Sequence, residues 1–156
     1  MRFGSHFIWL ILILACNSNA SDNDYIAVVT SASHAKEINK ESLTQIFKRK
    51  KLFWTNGDKI QPVNLPTQNV LRKTLSNIIF QASPEDLEKY WNMMYFQGIT
   101  PPHVISSEES VIRFVLETPG AIGYVSLSNV DKKSTIALVL NTNGQVISDS
   151  NISPRP

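Results

Sequence analysis

Between residues 106 and 125 the apolar pattern changes period at one dipeptide. "SSEESVIRFVLET" carries Val111, Phe114 and Val115 at helical spacing, Pro119-Gly120 interrupts it, and "AIGYV" continues as an unbroken apolar run. Ser106 and Glu109 have the spacing of a capping box, which marks the start of a helix. Pro presets φ and Gly supplies a positive φ, so a tight turn ends that helix and launches a strand. A second glycine, Gly123, then sits inside the strand, where it costs about 0.5–1 kcal/mol relative to alanine. A missing side chain at such a position permits close approach by another backbone or by a ligand.

The rest of the chain repeats this exchange of periods. "DYIAVVTS" is short, apolar and β-branched, the pattern of a buried strand. "ESLTQIF" puts Leu43, Ile46 and Phe47 on one helical face, and the cations of "KRKK" at residues 48–51 suit the negative end of that helix. Asn56-Gly57 signals a turn. "IQPVNLP" follows as a strand closed by Pro66, and a helix is expected over 68–80 with Leu71, Leu75, Ile78 and Ile79 inward. In "SPEDLEKYWNMMYFQG", Ser83 caps a helix, Pro84 takes its first position and Gly98 lies past its end. The prolines of "PPHVIS" force extended backbone. "STIALVLNTNGQVIS" closes as a hairpin turning at Asn143-Gly144, and the tail "NISPRP" is expected to fray. Strands alternating with helices imply an α/β domain with a mixed or mainly parallel sheet flanked by helices. In such domains ligands sit beyond the carboxyl ends of strands, at helix N-termini.

The 156 residues suffice for one domain with a real core. A formal charge of +2 creates no demand for nucleic acid. The N-terminus departs from the rest. Arg2, an apolar stretch from Phe7 to Ala15 and small polar residues beyond it form a secretory signal peptide. Ser18 and Ala20 fit a cut before Ser21, giving a signal peptide over 1–20 and an exported domain over 21–156. "ILAC" offers the alternative of a lipid anchor through Cys16. Either way the single cysteine leaves the folded domain without thiol, disulfide or cysteine–zinc chemistry. A cysteine-free exported domain points to a periplasm.

Catalytic sets are absent from the pattern. His34 and His103 stand in separate loops without paired-ligand spacing, and no nucleophile elbow occurs. Glu85-Asp86 and Glu108-Glu109 fall in first helical turns, where capping explains them. The aromatic group Trp54, Tyr90, Trp91, Tyr95 and Phe96 reads as packing and "KRKK" as a solvated helix end. No enzyme activity and no cofactor are expected. "PTQNVLRK" is different. Thr67 or Asn69 can cap the helix, yet Arg72 and Lys73 fall in or near its first turn, where a cation costs about 0.3–1 kcal/mol against the dipole. A bound anion would reverse that sign by drawing N–H groups, hydroxyl and guanidinium onto one ligand. The alternative is that both cations swing into water.

Taken together, "LTQIFKRKKLFW", "IQPVNLP", "YWNMMYFQG", "PPHVI" and "TPGAIGYV" resemble the short, single-domain relatives of the phosphate-binding proteins of ABC transporters, over about residues 25–140. "TPGAIGYV" is the most specific element, and Leu43, Ile46, Phe47 and Trp54 match the family's Leu-x-x-Ile-Phe…Trp pattern. The resemblance implies a reduced type II periplasmic binding protein fold and recognition of phosphate or a similar oxyanion. With the helix-start reading above, it makes Thr67, Asn69, Arg72 and, from the loop "TSASH", Ser31 the expected ligand contacts. It also assigns Gly123 to close packing at a crossover strand. The family's Ser-Gly-Thr loop is here Thr67-Gln68-Asn69, and 156 − 20 = 136 residues is about half a full-length member. A second reading follows from these departures: a sensor or interaction module that keeps the fold without phosphate. The partners implied are a small anion and a membrane permease or sensor receptor.

Overall fold

The structure, a computed structural model, describes residues 25–147. The segment read as a signal peptide, Cys16 and the tail after residue 147 lie outside the described residues. Five strands form one sheet: β1 (Tyr25–Thr30), β2 (Gln61–Asn64), β3 (His103–Val104), β4 (Ala121–Ser126) and β5 (Thr135–Asn141), in the order β3-β2-β4-β1-β5. The sheet is mixed. β2 runs parallel to β3 and β4, whereas β1 is antiparallel to both β4 and β5. Five helices accompany it: α1 (Ala32–Ala35), α2 (Lys40–Phe47), α3 (Val70–Phe80), α4 (Glu88–Phe96) and α5 (Glu108–Glu117). The α/β expectation holds.

β4 is buried along its whole length and β1 from Ile26 to Thr30, which is why both read as continuous apolar runs rather than alternating ones. Gly123 lies in the middle of β4. A Cβ there would stand 2.5 Å from Val111 Cγ1 of α5 and 3.0 Å from Val63 Cγ2 of β2. The glycine therefore lets α5 settle directly onto the sheet, as a close-packing residue and not a ligand wall. Gly120 has φ +76°, and the Lys59 carbonyl occupies the space where a side chain would begin. Its own carbonyl accepts from Trp54 Nε1 at 3.0 Å, which ties the turn to the core.

Local chemistry sets most element ends. Asn39 and Ser42 form a reciprocal capping box on α2. Gln81 closes α3 in the left-handed region with φ 57°. α5 is capped by Ser107, whose hydroxyl accepts from the Ser110 N–H, and not by Ser106. The Glu at the expected box position is one residue out of register with that cap. The segment after Ser83 also departs from one continuous helix: Pro84 precedes a 3₁₀ turn at Glu85–Leu87 before α4 begins. The expected inward face survives, with Leu87 and Met94 buried and Trp91 half-buried. The turn at Asn143-Gly144 forms, with Gly144 at φ +75° and a bridge between Leu140 and Val146.

Candidate functional site

α3 leaves the carboxyl end of β2 through Leu65–Asn69, and its first turn holds the residues the sequence singles out. Asn69 is the N-cap. Its Oδ1 accepts from the Leu71 N–H at 2.8 Å and the Arg72 N–H at 3.3 Å. This cap occupies two of the N–H groups expected to face a ligand. Thr67 and Gln68 are exposed on the loop, and Val70, the first helical residue, is 76% exposed. Lys73 points into solvent.

Arg72 does the opposite. It is only 8% exposed, and its Nε has no hydrogen-bond partner. No carboxylate forms an ion pair with it among the described residues. Its guanidinium lies beside the Tyr124 hydroxyl, which donates to Asn64 Oδ1 at 3.3 Å and accepts from the Leu65 N–H at 3.2 Å. Burial pushes the Tyr124 pKa up, against the downward pull of the Arg72 charge and of hydrogen bonds from Leu65 and Arg72. A guanidinium has thus been buried at the start of a helix, where the dipole is already positive, with no ion-pair partner among the described residues. Asn64 and Tyr124 complete this polar nest. Sequence reasoning passed over both, because their convergence on Arg72 depends on β2 and β4 lying side by side.

Ser31 is not brought to this place. It follows β1, whose end Thr30 pairs with Ile122, while β2 runs parallel to β4 with Pro62 level with Ile122. The two loops therefore leave opposite ends of the sheet, separated by about 10 Å of strand at ~3.3 Å per residue. Ser31 instead shares a 2.8 Å hydrogen bond with Ser33. The remaining candidates, Thr67, Asn69 and Arg72, share the first turn of α3 and the loop before it.

Other polar clusters have structural explanations. His34 is buried, stacked on Trp54 with centroids 4.3 Å apart, and faces Glu37 and Asp58 at 3.6 Å each. Glu108 Oε2 accepts from the Ser126 N–H and from Asn129 Nδ2, at 2.6 and 3.1 Å. No group of three or more His, Cys, Asp or Glu side chains is arranged to hold a metal ion among the described residues. An open cleft of about 410 Å³ on the outer side of α3 includes Lys73, Thr74, Asn77 and Glu85. It is lined by one lysine and one glutamate, both exposed, and holds no buried charge like that of Arg72.

A crystal structure of an ABC-type phosphate transport receptor from Vibrio cholerae superposes with a TM-score of 0.55 at 16% identity, covering 85% of this chain and 49% of the receptor. A putative phosphate ABC transporter substrate-binding protein from Clostridium perfringens, solved with bound phosphate, gives 0.54 at 20% identity, covering 72% of this chain and 44% of that protein. The fold is that of these substrate-binding proteins. The chain spans about half the length of either. No protein-family model and no curated protein matches the sequence. Among the described residues no helix is long and apolar enough to cross a membrane.

Proposed function

We propose that this chain is an extracytoplasmic solute-binding protein that takes phosphate or a similar oxyanion at the N-terminal end of α3, for an ABC-type uptake system. The single observation that carries the proposal is the buried Arg72, which has no ion-pair partner among the described residues. An arginine placed there without an anion leaves a desolvated donor, an arrangement costing about 1–3 kcal/mol. An oxyanion entering over the first turn would pair with it and meet the positive end of the helix. Thr67 Oγ1, Asn69 Nδ2 and the Arg72 guanidinium are the donors suited to it. Ser31 takes no part. The fold shared with phosphate receptors raises the expectation, but the ligand argument rests on the site.

The test is calorimetric titration of phosphate and sulfate into the folded full-length chain. Saturable heat with one anion is expected, weakened in Asn69→Ala. No heat from either anion refutes the assignment. A second reading is favoured by one feature, the Asn69 side chain. Its oxygen already occupies the N–H groups a ligand would use, as befits an interaction or sensor module that keeps the fold and docks on a membrane receptor. Ligand-independent capture of such a receptor, together with silent titrations, would select it.

A further inference from the structure

Helix α4 carries apolar residues on both of its sides. Leu87 just before it and Met94 within it face the core, and Tyr90 and Trp91 pack edge-on against Phe80. The outer side should then be polar. Instead Phe96 is 89% exposed, Tyr95 67% and Met93 53%. Lys89, Met93 and Phe96 recur at i, i+4, i+7, so one cation and two large apolar side chains form a single outward stripe. Scattered exposed apolar residues need no explanation, but three within four positions at the end of one helix form a patch.

Its surroundings are basic. The Tyr90 hydroxyl donates to the Lys48 carbonyl at 2.6 Å, which fixes the end of α2 against α4. Arg49 Nε donates to the Thr100 carbonyl at 3.3 Å, which holds the same basic segment to the loop leaving α4. The segment 48–50 is therefore held against α4, and Lys89 lies on the outward stripe. Lys48 Nζ sits over the Phe80 ring and Arg49 Nη1 also donates to the Ile60 carbonyl at 3.4 Å, so Lys50 and Lys89, exposed and without an ion pair among the described residues, are the cations left to face a partner. The acids nearby, Glu85, Asp86 and Glu88, sit at the start of the helix. Asp86 is engaged by Ser83, and Glu88 falls on the flank toward Tyr95, away from the Lys48 side.

We propose that this face of α4 docks on an anionic lipid bilayer, with Phe96 and Met93 entering the headgroup–acyl boundary and the basic rim engaging lipid phosphates. Apolar side chains in a frame of cations are the elements of interfacial binding. Self-pairing is disfavoured, because a second copy would bring its own cationic rim against the first. The docked surface is separate from the first turn of α3, so membrane contact does not require an occupied anion site.

The test places a reporter at the patch. Full-length Phe96→Trp is mixed with vesicles of phosphatidylcholine alone or with roughly one quarter phosphatidylglycerol, some carrying bromine-labelled acyl chains. The emission in excess of the wild-type protein is expected to shift to the blue and to be quenched only with the anionic lipid. Salt should weaken the effect. Each of Lys50→Gln and Lys89→Gln should lower partitioning about fivefold. The signal comes from position 96, so contact made by the N-terminal apolar segment does not mimic it. Phe96→Asp, at a nearly fully exposed site, should melt as the wild type does and lose vesicle binding through this face. No quenching, or equal quenching in neutral vesicles, overturns the proposal. So does concentration-dependent self-association that Phe96→Asp abolishes without any lipid response.

Discussion

Replacing Arg72 by methionine should stabilise the ligand-free protein while removing its response to phosphate. The guanidinium is buried, its Nε is unpartnered and no carboxylate forms an ion pair with it among the described residues. Methionine keeps much of the stem volume and carries no donor to desolvate. The penalty removed is about 1–3 kcal/mol for the orphaned donor. The loss on the other side is the contact with the Tyr124 hydroxyl, about 1 kcal/mol. Tyr124 still donates to Asn64 and accepts from Leu65, so the substitution leaves no new orphan there. The net expectation is a gain of up to about 2 kcal/mol, in line with exchanges of other buried charges for apolar groups. At this chain length that raises the melting temperature by up to about 8 °C. Phosphate at a hundred times its dissociation constant would add about 2.7 kcal/mol to the wild type and nothing to the variant. Two thermal melts for each protein, with and without inorganic phosphate, decide the matter. A variant that melts well below the wild type in phosphate-free buffer would show Arg72 to be a satisfied core residue. A variant that keeps the full phosphate shift would show that the anion binds elsewhere.

Three further outcomes follow from the packing and the charges. Gly123→Ala should cost about 1–3 kcal/mol in chemical denaturation, because its methyl meets Val111 and Val63 and must push α5 off the sheet; a neutral result would mean that α5 is free to retreat. Gln81→Gly should stabilise by about 0.5–1 kcal/mol, since Gln81 holds φ 57° at the end of α3 while its N–H bond to Asn77 is retained; an unchanged melt refutes strain there. Burial acts to raise the Glu37 pKa, but the Thr55 hydroxyl and N–H and the Lys51 ammonium outweigh it, so the folded value lies below the ordinary one. That contribution is present above the ordinary carboxylate pKa and lost as pH falls through the folded value. Glu37→Gln should accordingly lower stability at neutral pH and flatten the acid limb of a stability–pH curve, and an unaltered limb would contradict the assignment.

Much of the fold is legible one segment at a time. The continuous runs of β1 and β4, the helical spacing of Leu43, Ile46 and Phe47, and the turn at Pro119-Gly120 each depend on neighbours within a few residues, and each forms. The errors are of the same local kind. Ser106 and Ser107 are adjacent capping candidates, and spacing to Glu109 selected the first while backbone geometry uses the second. The site was less legible. Arg72 and Lys73 looked alike as cations in a first turn, yet one is buried and the other lies in water.

The sequence by itself determined which segments become strands and helices, where the glycine turns fall, and that the start of α3 is a place of electrostatic conflict. Those follow from side-chain periodicity and backbone preference, which are local. The direction of β1, the distance between Ser31 and the start of α3, the capture of two N–H groups by Asn69 and the burial of Arg72 against Tyr124 were decided only by tertiary structure. Each depends on which strands pair and in which sense, and that choice is set by how the whole core closes, through contacts between residues tens of positions apart.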